Sequence, residues 1–313
     1  MLRSHIDYIV CPRCKSELEL FATQIVGEKI KDGELVCKEC SEKYQIINFV
    51  PRFVDSQKYV GSFGDEWRIF KNVKNSKPNM SIDEMKNYLA LEKRDVEGKV
   101  ALEIGCGAGP YLDIVSKNFG AKFVVGIDLS LAVDAAYENV GGRDNVLIIQ
   151  ADLFNLPFRD GFFDLVYSLG VLHHTPNTKE AFAAVSKYVK KGGEIAIWLY
   201  GAYWLRKSKN QDWLRSAWTS KMSSKALYRF SVIASYLYYL YKIPILGDGL
   251  RERFPIAMDE DREVRALNTF DMYSPTFINR HYYDEVYEWF DENGFDKIKP
   301  TRYALGMKGI KSC

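Results

Sequence analysis

Short, continuously apolar runs alternate with amphipathic stretches through the middle of the chain. The apolar runs cover residues 99–105, 121–128, 145–152, 162–170 and 192–200. Runs of this length are typical of strands that are buried on both faces. The stretches over 110–120, 130–140 and 177–189 instead have the spacing of helices. This alternation predicts an α/β fold, in which helices cover both faces of a doubly wound, mostly parallel sheet.

The alternation is interrupted after the fifth of these strands. Residues 201 to about 280 predict no strand, and we expect them to form a helical insertion that acts as a lid. Residues 282–294 predict an amphipathic helix that ends at Gly294, and two last strands are expected to form a hairpin. The sheet is therefore predicted to be seven-stranded.

Composition and charge narrow the class of protein. The chain has 313 residues, of which 47% are hydrophobic, enough for a sizeable core. With 43 basic and 41 acidic residues the net charge is +2, so there is no general bias toward nucleic acid. We see neither a signal peptide nor an uncharged apolar run long enough to span a bilayer, and therefore expect a cytoplasmic protein.

Two C-x-x-C pairs lie near the N-terminus. They are formed by Cys11, Cys14, Cys37 and Cys40. Each pair can hold one side of a tetrahedral ion, so the two pairs predict a closed, structural zinc site in a ribbon over residues 1–55. A redox dithiol is the alternative. The residues between the pairs predict a hairpin that turns at 31–34. Because so short a segment needs its metal to fold, we expect chelation to unfold the ribbon alone.

The segment YQIINFVPRFV follows the second pair. It resembles the closing segment of small zinc-ribbon domains, with Tyr44, Ile46 and Pro51 matching and Asn48 and Phe49 departing from the usual turn. Such ribbons occur fused to methyltransferases or as a separate activator subunit of them.

Three glycines alternate directly after the first central strand. They are Gly105, Gly107 and Gly109. An acid ends each of the next two strands, at Asp128 and Asp152, and Glu103 precedes the glycines. Because ligands bind at the carboxyl ends of parallel strands, these residues predict a binding edge. The G-x-G-x-G spacing departs from the G-x-G-x-x-G pattern of dinucleotide sites.

This ordered set resembles the class I S-adenosylmethionine-dependent methyltransferases. The matching stretches are LEIGCGAG, VVGIDLS, IQADLFNLPF, FDLVYSLGVLHHTP and VKKGGEIAI. The resemblance implies a Rossmann-like sheet within residues 99–313 and S-adenosylmethionine as cofactor. It also implies that a helical segment over 56–98, with Phe63 and Trp67, closes over the cofactor.

The resemblance assigns roles by position. The three glycines would form the floor under the methionine portion and the ribose, and Glu103 would anchor the loop and the cationic end of the cofactor. Asp128, with Leu129 beside it, would bind the ribose hydroxyls. Asp152 and the backbone N–H of Leu153 would bind adenine. Ser168 and Leu169 would lie beside the sulfonium.

Candidate general bases follow the fourth strand and precede the last helix. They are His173, His174 and His281. A base is required if the methyl acceptor is a hydroxyl or a protonated amine, and the pKa of histidine suits that role. For each, a purely structural role is the alternative.

The composition of the insertion indicates which kinds of methyl acceptor the protein could bind. Residues 205–229 carry seven basic residues against one acid, with Trp213 and Trp218 among them. Four interpretations stay open: packed helices with a solvated basic face, a lid over an acceptor pocket, peripheral contact with a membrane, and RNA binding. The sequence favours a methyltransferase acting on a small-molecule, lipid-linked or sugar-linked acceptor. An RNA base methyltransferase and a non-catalytic cofactor-binding scaffold are the alternatives. The sequence predicts neither which acceptor atom is methylated nor which oligomeric state the protein has.

Overall fold

The computed structural model describes residues 1–54, 78–202 and 205–313. Phe63 and Trp67 of the expected closing segment lie outside the described residues. The strands are β1 (Leu18–Val26), β2 (Lys29–Cys37), β3 (Lys43–Ile47), β4 (Val50–Arg52), β5 (Val100–Ile104), β6 (Phe123–Asp128), β7 (Val146–Gln150), β8 (Phe163–Leu169), β9 (Val189–Trp198), β10 (Phe295–Pro300) and β11 (Gly306–Lys311).

Helices connect most of the strands that follow residue 99. The α-helices are α1 (Pro78–Leu89), α2 (Lys93–Val96), α3 (Pro110–Asp113), α4 (Ala132–Val140), α5 (Thr178–Ser186), α6 (Leu205–Ala217), α7 (Ser224–Tyr236), α8 (Tyr238–Tyr241), α9 (Leu246–Arg253), α10 (Arg262–Tyr273) and α11 (Tyr283–Glu292). Short 3-10 helices cover Arg3–Tyr8, Leu172–His174 and Thr219–Lys221, and α3 continues as a π-helical turn over Ile114–Asn118.

All strands of the described part of the chain belong to one sheet, ordered β1-β2-β3-β4-β7-β6-β5-β8-β9-β11-β10. The five central strands are parallel, and β11 and β10 complete that side antiparallel, as the predicted hairpin. The α/β prediction with a mostly parallel sheet is confirmed. From β5 the chain moves outward through β6 and β7 and then returns to β8. The strand order therefore switches direction at the carboxyl end of β5, the place where such sheets bind ligands.

The sheet has eleven strands rather than seven because the ribbon extends it. The strands β1 to β4 form an antiparallel ribbon, and β4 pairs with β7 in parallel through Arg52 and Gln150. The predicted hairpin turn at 31–34 is wrong: β1 and β2 are joined at Gly27 and Glu28, and residues 31–34 lie within β2. Gly33 instead allows a close strand approach, since a Cβ there would lie 2.5 Å from the Phe21 carbonyl oxygen.

The ribbon and the parallel sheet share one hydrophobic core. A single cluster of buried side chains runs from Met1 and Leu35 of the ribbon to Leu147 and Phe182 of the sheet domain. Tyr8 stacks on Phe123 with 4.3 Å between ring centroids. This shared packing argues against the expectation that metal loss unfolds the ribbon alone.

The helices between β9 and α11 form a packed unit of their own. Its largest buried apolar cluster consists of Leu227, Ala266, Leu267, Phe270 and Tyr273. The Asp212 carboxylate joins this unit to the segment before α11 by accepting from Arg280 at 2.6 Å. Among the described helices, none has both the length and the apolarity needed to cross a bilayer.

Candidate functional site

The glycine loop after β5 places three residues without a Cβ on one short stretch of backbone. Gly105, Gly107 and Gly109 have φ values of +76°, +52° and +82°, which favour glycine. The Gly105 and Cys106 amides both donate to the Ile127 carbonyl oxygen at 2.8 Å. A Cβ on Gly105 would lie 2.4 Å from a methyl carbon of Val171. Contact with Val171 therefore requires a glycine at position 105, and the three glycines leave the loop backbone bare, as the close approach of a ligand requires.

Asp128 ties the end of β6 to this loop. Its Oδ2 accepts from the Gly107 amide at 2.9 Å, and its Oδ1 accepts from the Ser130 amide and hydroxyl at 2.8 and 2.7 Å. Burial raises the pKa of Asp128, and these hydrogen bonds oppose that rise. Since a carboxylate offers about four acceptor positions, roughly one stays open to a ligand.

Glu103 lies beneath the loop. Its side chain is 3% exposed, and Oε2 accepts from the Tyr167 hydroxyl at 3.0 Å. Burial raises the pKa of Glu103 well above its ordinary value, and the charge of Asp128 adds to the rise. A cation brought to this carboxyl group would favour its ionised form.

Three other predicted cofactor residues, Leu129, Asp152 and Leu153, follow the ends of β6 and β7. Asp152 follows β7, and its Oδ1 accepts from the Phe154 amide at 3.1 Å. Leu153 is buried, and the Leu129 carbonyl accepts from Gln150 at 3.0 Å.

Ser168 and Leu169 end β8. The Ser168 hydroxyl is buried and donates to the Ile104 carbonyl at 3.2 Å. The structure thus brings the predicted cofactor residues to one edge, formed by the ends of β5, β6, β7 and β8.

Two of the candidate bases lie in the turn that follows β8. The His173 ring is fully buried and stacks on Tyr200, with 3.9 Å between centroids. Neither of its ring nitrogens has a hydrogen-bond partner among the residues that the structure describes. Burial lowers the pKa of His173 well below its usual value and the pKa of His174 to about 4. Both rings are therefore neutral near pH 7 and are weak bases.

His281 also lies beside Tyr200, although it is distant from Tyr200 in the sequence. Its amide donates to the Tyr200 carbonyl oxygen at 3.1 Å, so it lies beside the end of β9. Its Nδ1 lies 3.0 Å from Oε1 of Glu285. A carboxylate beside one ring nitrogen fixes the orientation of the imidazole. The sequence analysis did not identify three residues of this site, namely Glu285, Tyr167 and Tyr200. Glu285 follows His281 by four residues, a spacing of one helical turn that could have indicated the contact.

The four predicted metal ligands converge. The sulfur atoms of Cys11, Cys14, Cys37 and Cys40 all lie within 4.8 Å of one another, and three of the pairs are 3.4–3.6 Å apart. Zinc–sulfur bonds of about 2.3 Å in a tetrahedron require sulfur separations of about 3.8 Å. Lys15 and Ser41, which follow the two pairs, have matching φ values of +61° and +57°. Two equivalent turns thus form a donor set that fits one structural zinc ion.

Two family models match the chain. Residues 102–197 match the model described as a methyltransferase domain, and residues 3–48 match the model described as Trm112p-like protein. The sterol 24-C-methyltransferase of Eremothecium gossypii is 24% identical over 188 residues, which are 58% of this chain and 47% of that protein. Phosphoethanolamine N-methyltransferase 2 of Caenorhabditis elegans is 34% identical over 109 residues, 33% of this chain and 24% of that protein. The chain therefore spans less than half the length of these two relatives.

A third relative is matched over most of its length. The demethylmenaquinone methyltransferase of Staphylococcus haemolyticus is 23% identical over 256 residues, 77% of this chain and 90% of that protein. Among solved structures, a complex that contains the Haloferax volcanii Trm112 methyltransferase activator is 12% identical, with a TM-score of 0.47. It covers 83% of this chain and 100% of that chain.

Proposed function

We propose that this chain, which combines a methyltransferase domain with a Trm112p-like N-terminal region, transfers the methyl group of S-adenosylmethionine to an acceptor. The observation that carries the proposal is the contact between Asp128 and the Gly107 amide. It joins a loop with three glycines to a carboxylate at the next strand end. A nucleoside needs such a surface for close approach and such a carboxylate for its ribose.

The edge offers a group for each part of the cofactor. Asp128 would accept from a ribose hydroxyl at its remaining position, beside Leu129. Asp152 and the Leu153 amide would bind adenine. Glu103, ionised by a cationic neighbour, would face the amino group of the methionine portion. Ser168 and Leu169 would lie beside the sulfonium.

His281 is the histidine best suited to act as a base in the proposed reaction. A methyl transfer from a sulfonium requires alignment of the acceptor and, for a hydroxyl or an ammonium, removal of a proton. The lowered pKa values of His173 and His174 make both rings weak bases. His281 instead lies beside the Glu285 carboxylate, and its Nε2 is buried without a partner among the described residues.

The insertion would frame the acceptor. The Asn279 amide donates to the His173 carbonyl oxygen at 2.9 Å, and the Phe277 carbonyl oxygen lies 2.9 Å from Nδ1 of His174. The chain that leaves α10 therefore runs along the turn after β8. This supports the lid interpretation and an acceptor bound beside that turn.

The charges favour a small-molecule, lipid-linked or sugar-linked acceptor over RNA. Residues 1–54 contain eight basic and eight acidic residues, so the ribbon is neutral. Three of its lysines and arginines pair with its own acids, at Arg13–Glu42, Lys38–Glu17 and Lys43–Glu34. RNA recognition through the ribbon would instead call for an uncompensated basic surface.

The ribbon would support the cofactor edge from within the same chain. Arg52 of β4 donates to Oε1 of Gln150 at 3.1 Å and pairs with Asp134 of α4 at 2.5 Å. The Gln150 amide group in turn donates to the Leu129 carbonyl, next to Asp128. Zinc would thereby act on the site only indirectly, by holding the ribbon that carries Arg52.

Calorimetric titration with S-adenosylmethionine tests the proposal. Asp128→Ala is expected to weaken binding by about 1–3 kcal/mol, because it removes a ribose contact and the support of Gly107. Ser130→Ala is the matched control: it removes a donor to the same carboxylate, leaves its charge, and should retain the wild-type affinity or exceed it. Equal affinities for wild type and Asp128→Ala would refute the assignment. Methyl transfer from labelled cofactor to extracted lipids and metabolites would then test the acceptor class.

A further inference from the structure

The helical unit after β9 leaves an apolar stripe in solvent. Along α7 and α8 the buried positions recur at helical spacing, at Leu227, Ser231, Ala234 and Tyr238. A second stripe follows the same spacing two residues later, at Arg229, Ile233, Tyr236 and Leu240. Two residues correspond to about 200° around a helix, so the second stripe lies opposite the packed one. Ile233, Tyr236 and Leu240 are 67%, 59% and 45% exposed.

The loop after α8 extends this apolar surface. Ile243 and Ile245 are 44% and 88% exposed. Ile245 also has φ of +65°, a conformation that disfavours a β-branched residue and that glycine would adopt without strain. Neither core packing nor backbone conformation therefore accounts for an isoleucine at this position. We call the surface formed by Ile233, Tyr236, Leu240, Ile243 and Ile245 the outer apolar face.

The segment that carries the outer apolar face has charges of one sign, and acids follow it at Asp248 and Glu260. Residues 213–247 contain five basic residues and no acid. Arg215 is buried and paired with Asp212, whereas Lys221, Lys225, Arg229 and Lys242 are exposed.

Exposed tryptophans accompany these bases at positions 213 and 218. Exposed apolar, basic and tryptophan side chains on neighbouring helices are the combination that anionic lipid interfaces bind.

We propose that the outer apolar face rests in the headgroup region of an anionic lipid bilayer, with Lys225 and Arg229 of the same stripe at the lipid phosphates. A second copy of the chain would bring these exposed bases together, which like-charge repulsion opposes. Nucleic acid would match the bases but would offer nothing to the exposed aliphatic side chains of Ile233, Leu240 and Ile245. The contact is peripheral, and it goes beyond the proposed methyl transfer without depending on it.

Vesicle co-sedimentation of the full chain tests this inference. We expect binding to vesicles of phosphatidylcholine mixed with phosphatidylglycerol and much weaker binding to phosphatidylcholine alone. Ile245→Gly should reduce binding to the anionic vesicles by at least about tenfold, because it removes an aliphatic group that the bilayer would bury. The same variant should keep or raise the thermal midpoint, because glycine adopts the positive φ at this position without strain. Arg229→Glu should reduce binding by at least about fivefold.

The matched control is Ile25→Thr, which alters a side chain of the ribbon that is 54% exposed and should leave vesicle binding unchanged. Equal binding to neutral and anionic vesicles, or the same effect from Ile245→Gly and Ile25→Thr, would overturn the proposal. A dimer in sedimentation velocity that Ile245→Gly dissociates would also overturn it, since the face would then be a contact between two copies. Binding to single-stranded RNA but not to vesicles would overturn it in favour of the nucleic-acid interpretation.

Discussion

Replacing Gly105 by alanine separates two costs that the structure assigns to the glycine loop. The first cost is conformational, because φ of +76° disfavours any residue with a Cβ by about 1–2 kcal/mol. The second is steric, because the new Cβ would lie 2.4 Å from Cγ2 of Val171. Overpacking of this kind costs about 1–3 kcal/mol. We therefore expect Gly105→Ala to lower the free energy of unfolding by roughly 2–5 kcal/mol.

Gly98 provides the matched control for this experiment. Its φ is +73°, and a Cβ there would meet nothing within 4 Å, so Gly98→Ala should cost only the conformational part. Val171→Ala provides the rescue, since it removes the methyl groups in contact. Urea unfolding of the single variants and of the Gly105→Ala/Val171→Ala pair would give a favourable coupling of about 1–3 kcal/mol. Equal losses for Gly105→Ala and Gly98→Ala, or no coupling with Val171, would refute the steric argument.

Three further predictions concern the ribbon and its contact with the sheet. Burial lowers the pKa of His5 to about 4, whereas in the unfolded chain this pKa is about 6.5. The contribution of His5 to stability is therefore intact above pH 6.5 and is lost as the pH falls toward 4. Between these values the wild type should lose about 1.4 kcal/mol per pH unit more than His5→Gln in urea unfolding; equal slopes would contradict this. Cys37→Ser should lower the thermal midpoint of the whole chain in one calorimetric transition, because the core is shared, and a separate, unchanged second transition would count against it. Arg52→Ala should lower stability by about 1–3 kcal/mol and weaken cofactor binding, because it leaves Gln150 and Asp134 without a buried partner. The exposed ion pair between Arg13 and Glu42 should contribute about 1 kcal/mol of stability at most. A loss of stability from Arg13→Ala as large as that from Arg52→Ala would therefore remove the basis for a specific role of Arg52.

Local patterns were sufficient to predict the central sheet. The apolar runs are buried on both faces, so their period and length identify β5 to β9 within a few residues. The methyltransferase and Trm112p-like matches confirm the resemblance drawn from the glycine turn and the cysteine pairs. The hairpin turn was misplaced because KDGE has turn composition, whereas Gly33 is required by the approach of Phe21.

The remaining features depend on contacts between distant parts of the chain. The pairing of β4 with β7 brings together residues 52 and 150, and no local period encodes it. Tyr167 belongs to an apolar run, and only the folded sheet places its hydroxyl on Glu103. The low pKa values of His173 and His174 likewise follow from burial by residues far away in sequence.

A structure of the protein with S-adenosylhomocysteine tests the central claim most directly. We predict that the nucleoside lies across the ends of β5, β6 and β7. Its ribose should contact Asp128, its adenine should lie near Asp152, and its amino group should approach Glu103. A ligand bound elsewhere on the molecule, or no bound ligand at saturating concentration, would contradict the account.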